Sequence, residues 1–136
     1  MHMAYEDEAQ LYSCLQDLFG RVEADIPQAT DSLLKSKLCI RFNIADPSAM
    51  LMIDARKRPL QIEYGRSNNH KPDLDIAVTG EALHQILLGQ LSLTKAVGSK
   101  KVKPTGPVWK VMALADLFYH AQTIYPDIAV ARKLHV

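Results

Sequence analysis

Hydrophobic and polar residues alternate with a period of two along the middle of the chain. Between residues 38 and 44 every second side chain is apolar: Leu38, Ile40, Phe42 and Ile44. This period is typical of a β-strand with one buried and one exposed face. Comparable segments with short polar connections predict three further strands at 49–54, 60–64 and 73–79. A short fifth strand at 100–103 is expected at a sheet edge, because Pro104 lacks a backbone N–H.

Apolar residues recur every three or four positions on either side of this region, which predicts helices. The first helix is predicted from about residue 6 to 24, with acidic residues in its first turn, where the helix dipole favours them. Shorter helices are predicted at 31–35, 81–88 and 92–97. The last and longest helix is expected from about residue 107, with proline in its first turn, to about residue 125, ahead of Pro126.

The last predicted helix carries more apolar surface than a sheet can cover. Its apolar side chains fill roughly 220° of a helical wheel, whereas a covering helix needs an apolar stripe of about 100° or slightly more. The remaining apolar surface must contact a neighbouring helix, a second subunit or a bound apolar ligand. The sequence pattern leaves these three alternatives open.

The order of these elements predicts the fold class. A helix, four strands, paired helices, a fifth strand and a last helix indicate an α+β domain, with a five-stranded, mostly antiparallel sheet covered on one face by helices. The length of 136 residues fits a single domain, 1–136, with residues 1–5 and 127–136 as candidate flexible ends. No apolar run is long enough to span a membrane, and the acidic N-terminal segment is unlike a signal peptide.

Charge is unevenly distributed, although the net charge is only +1. Residues 1–34 contain seven acids and one base, whereas residues 35–136 contain fifteen bases and eight acids. The small net charge argues against a nucleic-acid partner. A cluster of lysines near the fifth strand is a candidate for transient contact with an anionic membrane surface, or is simply a solvated surface. These residues are Lys95, Lys100, Lys101 and Lys103.

The sequence contains no recognisable catalytic or metal-binding motif. It has no nucleophile elbow, no zinc-protease motif, no phosphate-binding glycine loop and no C-x-x-C pair. The histidines are scattered, so neither a metal site nor another cofactor is expected. Cys14 and Cys39 match no metal-binding spacing and are expected to be free thiols, which favours a reducing, cytoplasmic location. Catalysis through His70, Asp73 or His120 is the weakest of the functional hypotheses.

The C-terminal half resembles the sterol carrier protein 2 family, also known as lipid-transfer domains. The resemblance begins with the strand DLDIAVTGEAL at 73–83 and the turn GQLSLTKA at 89–96. It continues through the basic segment 100–103 and Gly106 into the helix VWKVMALADLF at 108–118. The sequence departs from the family pattern at Leu93, where proline is usual, and at Val97, where phenylalanine is common.

This resemblance implies a five-stranded sheet beneath helices, with an apolar tunnel between them. Fatty acids, acyl-CoA esters, phospholipids or sterols are the ligands it implies, bound without catalysis. The expected ligand-binding residues are Ile40, Phe42, Ile44, Ile62, Ile76, Val78, Leu83, Leu87, Val108, Val111, Met112, Ala115 and Phe118. An alternative function is an interaction or dimerisation module, or an accessory subunit of a lipid- or isoprenoid-metabolising enzyme. In that case the apolar helix would pack against a second copy or an enzyme partner.

Overall fold

Five strands form one sheet in the computed structural model, which describes residues 4–65 and 71–136. The strands are β1 (Cys39–Ala45), β2 (Ala49–Asp54), β3 (Gln61–Tyr64), β4 (Leu74–Thr79) and β5 (Val102–Thr105). Their order in the sheet is β3-β2-β1-β4-β5. β1 pairs with β4 in parallel, and the other three pairings are antiparallel. The predicted α+β fold with a five-stranded, mostly antiparallel sheet is confirmed.

The described residues also form five α-helices. They are α1 (Glu8–Asp25), α2 (Asp31–Ser36), α3 (Gly80–Leu87), α4 (Leu93–Gly98) and α5 (Ala115–Ala131). A short 3₁₀ turn, Pro27–Thr30, connects α1 to α2. Side-chain caps explain several of the starts: Asp7, Thr79 and Ser92 each accept a hydrogen bond from a backbone N–H three residues later. The bounds of α1 to α4 lie close to the predicted ones.

The last predicted helix differs from the structure at both ends. Val108–Leu114 forms a 3₁₀ helix, called the 3₁₀ segment below, and the α-helical part starts only at Ala115. α5 also continues through Pro126 to Ala131 instead of ending before the proline. A proline removes only one backbone donor, and the buried residues Ile128 and Ala129 that follow it anchor the last turns in the core.

The fifth strand lies two residues later than the sequence predicts. Lys100 adopts a left-handed backbone with φ +64°, so the turn occupies the position where the strand was expected to begin. Pro104 lies within β5, opposite Ile76 of β4. Because β5 is an edge strand, the missing N–H of Pro104 costs the sheet no interior hydrogen bond.

One hydrophobic core joins the inner face of the sheet to the helices. Alternate residues of β1 and β4 enter this core together with buried residues of α1, α3 and α5. Both predicted flexible ends also contribute buried side chains, Tyr5 at one end and Leu134 at the other. Across residues 4–65 and 71–136, no helix combines the length and apolar content that a bilayer crossing requires.

Candidate functional site

The candidate ligand layer is the apolar region between the sheet and the helices. One side of it is formed by the inner face of the sheet. Ile40, Phe42 and Ile44 of β1 are buried, as are Ile76 and Val78 of β4. The parallel register places Phe42 beside Ile76 and Ile44 beside Val78. The period-two pattern therefore aims these predicted residues at the same apolar surface.

Helical side chains cover this surface from the other side. Leu83 and Leu87 of α3, Val111 of the 3₁₀ segment and Phe118 of α5 are all buried in the same core. The rings of Phe42 and Phe118 face each other across the layer, with centroids 6.3 Å apart and planes tilted by 36°. The structure thus brings these predicted site residues together between sheet and helices.

Other predicted site residues lie at the border of the layer or outside it. Ile62 and Ala115 are partly buried. Val108 and Met112 are 54% and 53% exposed, so the structure does not group them with the buried set. Three residues per turn instead of 3.6 place Met112 with Trp109, on the side of the 3₁₀ segment away from the buried Val111 and Leu114. Val108 is the first residue of the segment and follows the exposed residues Gly106 and Pro107.

A cavity of about 460 Å³ lies where β1 and β4 end and α3 begins. It is lined by Asn43, Ala45, Ala77, Val78, Thr79, Glu81, Ala82, Gln85, Lys100, Lys101 and Lys103. Of the predicted ligand-binding residues, only Val78 reaches this cavity. The lining residues of β1 and β4 are brought together by the parallel pairing of these strands, which no local sequence pattern reveals.

The cavity is lined by both apolar and charged side chains. The charged ones are Glu81, Lys100, Lys101 and Lys103. One carboxylate oxygen of Glu81, Oε1, accepts a hydrogen bond from Gln85 Nε2 at 3.4 Å. The other, Oε2, is buried and has no hydrogen-bond partner among the described residues. A ligand in this cavity would therefore meet apolar side chains together with a buried carboxylate oxygen that needs a hydrogen-bond donor.

A chain of buried polar groups links the two ends of the molecule to α3. The hydroxyl groups of Tyr5 and Tyr125 are 2.5 Å apart, and His84 Nδ1 lies 2.7 Å from the Tyr125 hydroxyl. His84 Nε2 contacts the backbone carbonyl oxygen of His135, which only accepts, so Nε2 carries the hydrogen. In the neutral ring Nδ1 is then the acceptor, so Tyr125 donates to His84 and accepts from Tyr5. Burial is the main cause that raises the pKa of both Tyr5 and Tyr125.

The residues considered for acid–base chemistry are tied into structural contacts. Asp73 Oδ2 accepts a hydrogen bond from the backbone N–H of Cys39 at 2.8 Å. Asp75 forms an ion pair with Arg41 and accepts a hydrogen bond from Asn43. The ring of His120 packs edge-on against Tyr119, with centroids 5.3 Å apart. His70 lies outside the described residues.

Both cysteines are free and buried. Burial raises the pKa of the Cys14 and Cys39 thiols, which makes the reactive thiolate form less available at neutral pH. Within 4–65 and 71–136, no three histidine, cysteine, aspartate or glutamate side chains are grouped closely enough to hold a metal ion.

Sequence comparison assigns the family. The family model of the SCP-2 sterol transfer family matches residues 18–119, which include all five strands, the 3₁₀ segment and the start of α5. The chain belongs to the SCP-2 sterol transfer family. The resemblance noted from the sequence is therefore confirmed, and it extends well beyond the C-terminal motifs. Comparison with curated proteins finds no significant match.

Solved structures show the same fold for this family member. The sterol carrier protein domain 2 of Helicoverpa armigera aligns with a TM-score of 0.64 at 19% identity, covering 90% of this chain and 96% of that one. The apo form of sterol carrier protein 2 from Yarrowia lipolytica gives 0.61 at 21% identity, covering 78% and 88%. The palmitated SCP2L2 of Aedes aegypti gives 0.56 at 21% identity, covering 79% and 92%.

Proposed function

We propose that this protein binds and carries a lipid-like apolar ligand in the layer between the sheet and the 3₁₀ segment with α5, without covalent chemistry. The ligand class is a fatty acid, an acyl-CoA, a phospholipid or a sterol. The observation that carries the proposal is the family match over residues 18–119, since this range contains the whole apolar layer. A relative of the same fold described as palmitated supports a fatty-acyl ligand.

The wall of the proposed site consists of the predicted apolar residues. It includes the predicted residues that are buried or partly buried: Ile40, Phe42, Ile44, Ile62, Ile76, Val78, Leu83, Leu87, Val111, Ala115 and Phe118. Val108 and Met112 lie on the exposed side of the 3₁₀ segment and are left out of the wall. Phe42 and Phe118 pack together across the layer, so a ligand must displace side chains as it enters. The 3₁₀ segment is the element best suited to move, because its hydrogen-bond geometry is poorer than that of an α-helix.

The energetics favour hydrocarbon ligands of moderate length. Burying about 12–16 methylene groups at ~0.8 kcal/mol each gives about 10–13 kcal/mol before costs. Ordering the chain and displacing packed side chains reduce this gain, so we expect micromolar to high-nanomolar affinity. Because apolar contacts dominate, binding is expected to tolerate different chain lengths.

The proposal includes transient contact with an anionic membrane, from which the ligand is taken. Lys95, Lys100, Lys101 and Lys103 are exposed, as this contact requires. It also places the protein in the cytoplasm, in keeping with two free, buried cysteines. The competing hypothesis, an interaction module that dimerises or joins a lipid-metabolising enzyme, predicts a tight complex without extractable lipid.

Two tryptophan substitutions distinguish ligand binding in the apolar layer from ligand binding in the 460 Å³ cavity, called the outer cavity below. Ala115→Trp adds bulk at the border of the apolar layer, and Ala77→Trp adds the same bulk in the 460 Å³ cavity. Binding of a fluorescent fatty acid is measured for both variants, with circular dichroism and thermal melts as controls of folding. We expect Ala115→Trp to weaken binding at least tenfold and Ala77→Trp to leave it unchanged.

If Ala77→Trp weakens binding and Ala115→Trp leaves it unchanged, the ligand binds in the outer cavity and not in the apolar layer. If both folded variants bind as the unmodified protein does, neither surface is the site. If the unmodified protein binds no fatty acid and light scattering shows a tight lipid-free dimer, the interaction-module hypothesis replaces the proposed function.

A further inference from the structure

The 3₁₀ segment Val108–Leu114 presents large apolar side chains to solvent. Trp109 is 73% exposed, and Val108 and Met112 are more than half exposed. With three residues per turn, positions 109 and 112 lie on the same side of the segment. Val111 and Leu114 are buried on the opposite side and fix the segment to the core. A group of large apolar side chains exposed to solvent is typical of an interaction surface.

The stretch of chain that contains this segment carries only positively charged side chains. Between Glu81 and Asp116 the sequence contains no acidic residue, yet it contains five lysines. They are Lys95, Lys100, Lys101, Lys103 and Lys110. Lys110 Nζ lies 5.8 Å from the centroid of the Trp109 ring. α4, β5 and the 3₁₀ segment all belong to this acid-free stretch.

The acidic side chains Asp31 and Asp116 on neighbouring elements already have polar partners. The 3₁₀ segment packs against α2 and β5. On the α2 side, the Asp31 carboxylate lies 3.7 Å from Arg58. At the start of α5, the Asp116 carboxylate accepts a hydrogen bond from Ser32 Oγ at 2.5 Å. Lys110 therefore places an ammonium group beside the exposed Trp109 ring, while Asp31 and Asp116 on the adjoining elements have polar partners of their own.

This combination fits a phospholipid surface better than a second copy of the chain. A two-fold interface through the same surface would bring the lysine-rich stretches of both copies together without compensating acids. An anionic membrane instead offers phosphates for the lysines and an interfacial zone in which tryptophan is favoured.

We propose that the 3₁₀ segment is the membrane-docking element of this protein. Trp109, Val108 and Met112 enter the interfacial region of an anionic bilayer, while the lysines of the acid-free stretch contact the head groups. This inference rests on the membrane contact in the proposed function and names the segment that makes it. Docking would place the segment that covers the ligand layer directly on the lipid source.

Trp109 is the only tryptophan in the protein, so its fluorescence reports on this segment alone. The protein is mixed with vesicles of phosphatidylcholine, or of equal parts phosphatidylcholine and phosphatidylglycerol. We expect a blue shift of Trp109 emission with the anionic vesicles, quenching by lipids brominated on the acyl chain, and weakening of both with added salt. Co-sedimentation measures the affinity.

Substitutions test whether the apolar side chains contribute to docking. Trp109→Ala and Met112→Ser should each weaken co-sedimentation with anionic vesicles about tenfold or more, because each removes buried apolar surface. Val130→Ser is the matched control, since Val130 is 63% exposed on α5, outside the acid-free stretch. It should leave vesicle binding unchanged.

Vesicle binding without a Trp109 shift, or equal binding of all three variants, would overturn the docking proposal. A concentration-dependent dimer that Trp109→Ala abolishes would assign the surface to a second copy instead. The proposed function is tested separately with fatty acid in the absence of vesicles. Vesicle docking without fatty-acid binding would refute the carrier function alone, and fatty-acid binding without docking would refute only this inference.

Discussion

Phe42 on β1 and Phe118 on α5 pack across the apolar layer with their ring centroids 6.3 Å apart. Both side chains are 4% exposed, although 76 positions separate them in the sequence. This contact closes the space in which we propose that the ligand binds. A ligand and this aromatic pair therefore compete for the same volume.

Phe118→Ala should reveal this competition. Loss of the ring is expected to cost about 3–5 kcal/mol of unfolding free energy, because it leaves an apolar cavity. Palmitate that fills this cavity should stabilise Phe118→Ala more than it stabilises the unmodified protein. Urea denaturation with and without palmitate measures both effects.

Thr79→Ala is the control for a loss of stability outside the apolar layer. It removes the hydrogen bond from the backbone N–H of Ala82 that caps the start of α3. It should cost about 1 kcal/mol and leave the gain from palmitate unchanged. Equal palmitate gains in Phe118→Ala and Thr79→Ala would argue against a ligand between sheet and α5. Phe118→Leu serves the same purpose if the alanine variant does not fold.

The strands could be predicted from the sequence because the alternation of apolar and polar residues that identifies a strand lies within the strand itself. Alternation at Ile40, Phe42 and Ile44 specifies a strand and its buried face without knowledge of the rest of the chain. The parallel pairing of β1 with β4 could not be predicted in this way, because it joins residues more than thirty positions apart. The 460 Å³ cavity depends on that pairing and was missed for the same reason.

The helical part of the candidate site was predicted less accurately. The apolar pattern of 108–118 indicated one α-helix, but it does not distinguish 3.0 from 3.6 residues per turn over seven residues. Met112 therefore lies on the surface, and Val108 is exposed at the first position of the segment, whereas Val111 and Phe118 are buried as expected. Similarly, no local signal links Tyr5 to Tyr125, because this contact depends on how α1 and α5 pack.

Tyr125→Phe should destabilise the protein more than Tyr5→Phe. Tyr125 both accepts from Tyr5 and donates to His84, so its loss leaves two buried polar groups without a partner. This is expected to cost about 1–3 kcal/mol per group. Tyr5→Phe removes only the hydroxyl that donates to Tyr125 and leaves the hydrogen bond from Tyr125 to His84 intact. Thermal or urea unfolding of the two variants tests the order, and equal losses would argue against the assigned direction of the hydrogen bonds.

Stability should fall in alkaline solution. Burial raises the folded-state pKa of Tyr5 and Tyr125 above their ordinary value of 10.0. Their contribution is therefore fully present below pH 10 and is lost as the pH rises further, because the unfolded chain releases its tyrosine protons first. Each tyrosine should contribute about 1.4 kcal/mol per pH unit to this decline.

The double variant Tyr5→Phe/Tyr125→Phe identifies the source of this decline. The buried thiols of Cys14 and Cys39 also have raised pKa values, so they begin to contribute to the loss of stability near pH 9. Urea denaturation from pH 8 upward should therefore give a shallower slope above pH 10 for the double variant, without removing the decline. Burial also raises the pKa of Tyr64, which the double variant retains, so an unchanged slope would exclude only Tyr5 and Tyr125 as the cause.

Gly80→Ala should destabilise the junction of β4 and α3. A Cβ atom at this position would lie 2.6 Å from the backbone oxygen of Asp46, which cannot move aside as a flexible side chain can. The expected cost is about 1–3 kcal/mol. Gly20→Ala is the control, because it lies within α1 with open space around it and should gain about 0.5–1 kcal/mol. Thermal melts that show no loss for Gly80→Ala would contradict the packing at this junction.

The most direct test of the ligand site is a methyl NMR titration with palmitate. The proposed site predicts that the methyl signals of Ile40, Ile76 and Val111 shift on binding, while those of Ala45 and Ala77 in the outer cavity stay in place. Shifts confined to Ala45 and Ala77, or bound palmitate that leaves Ile40, Ile76 and Val111 unchanged, would contradict an apolar ligand between the sheet and the C-terminal helix.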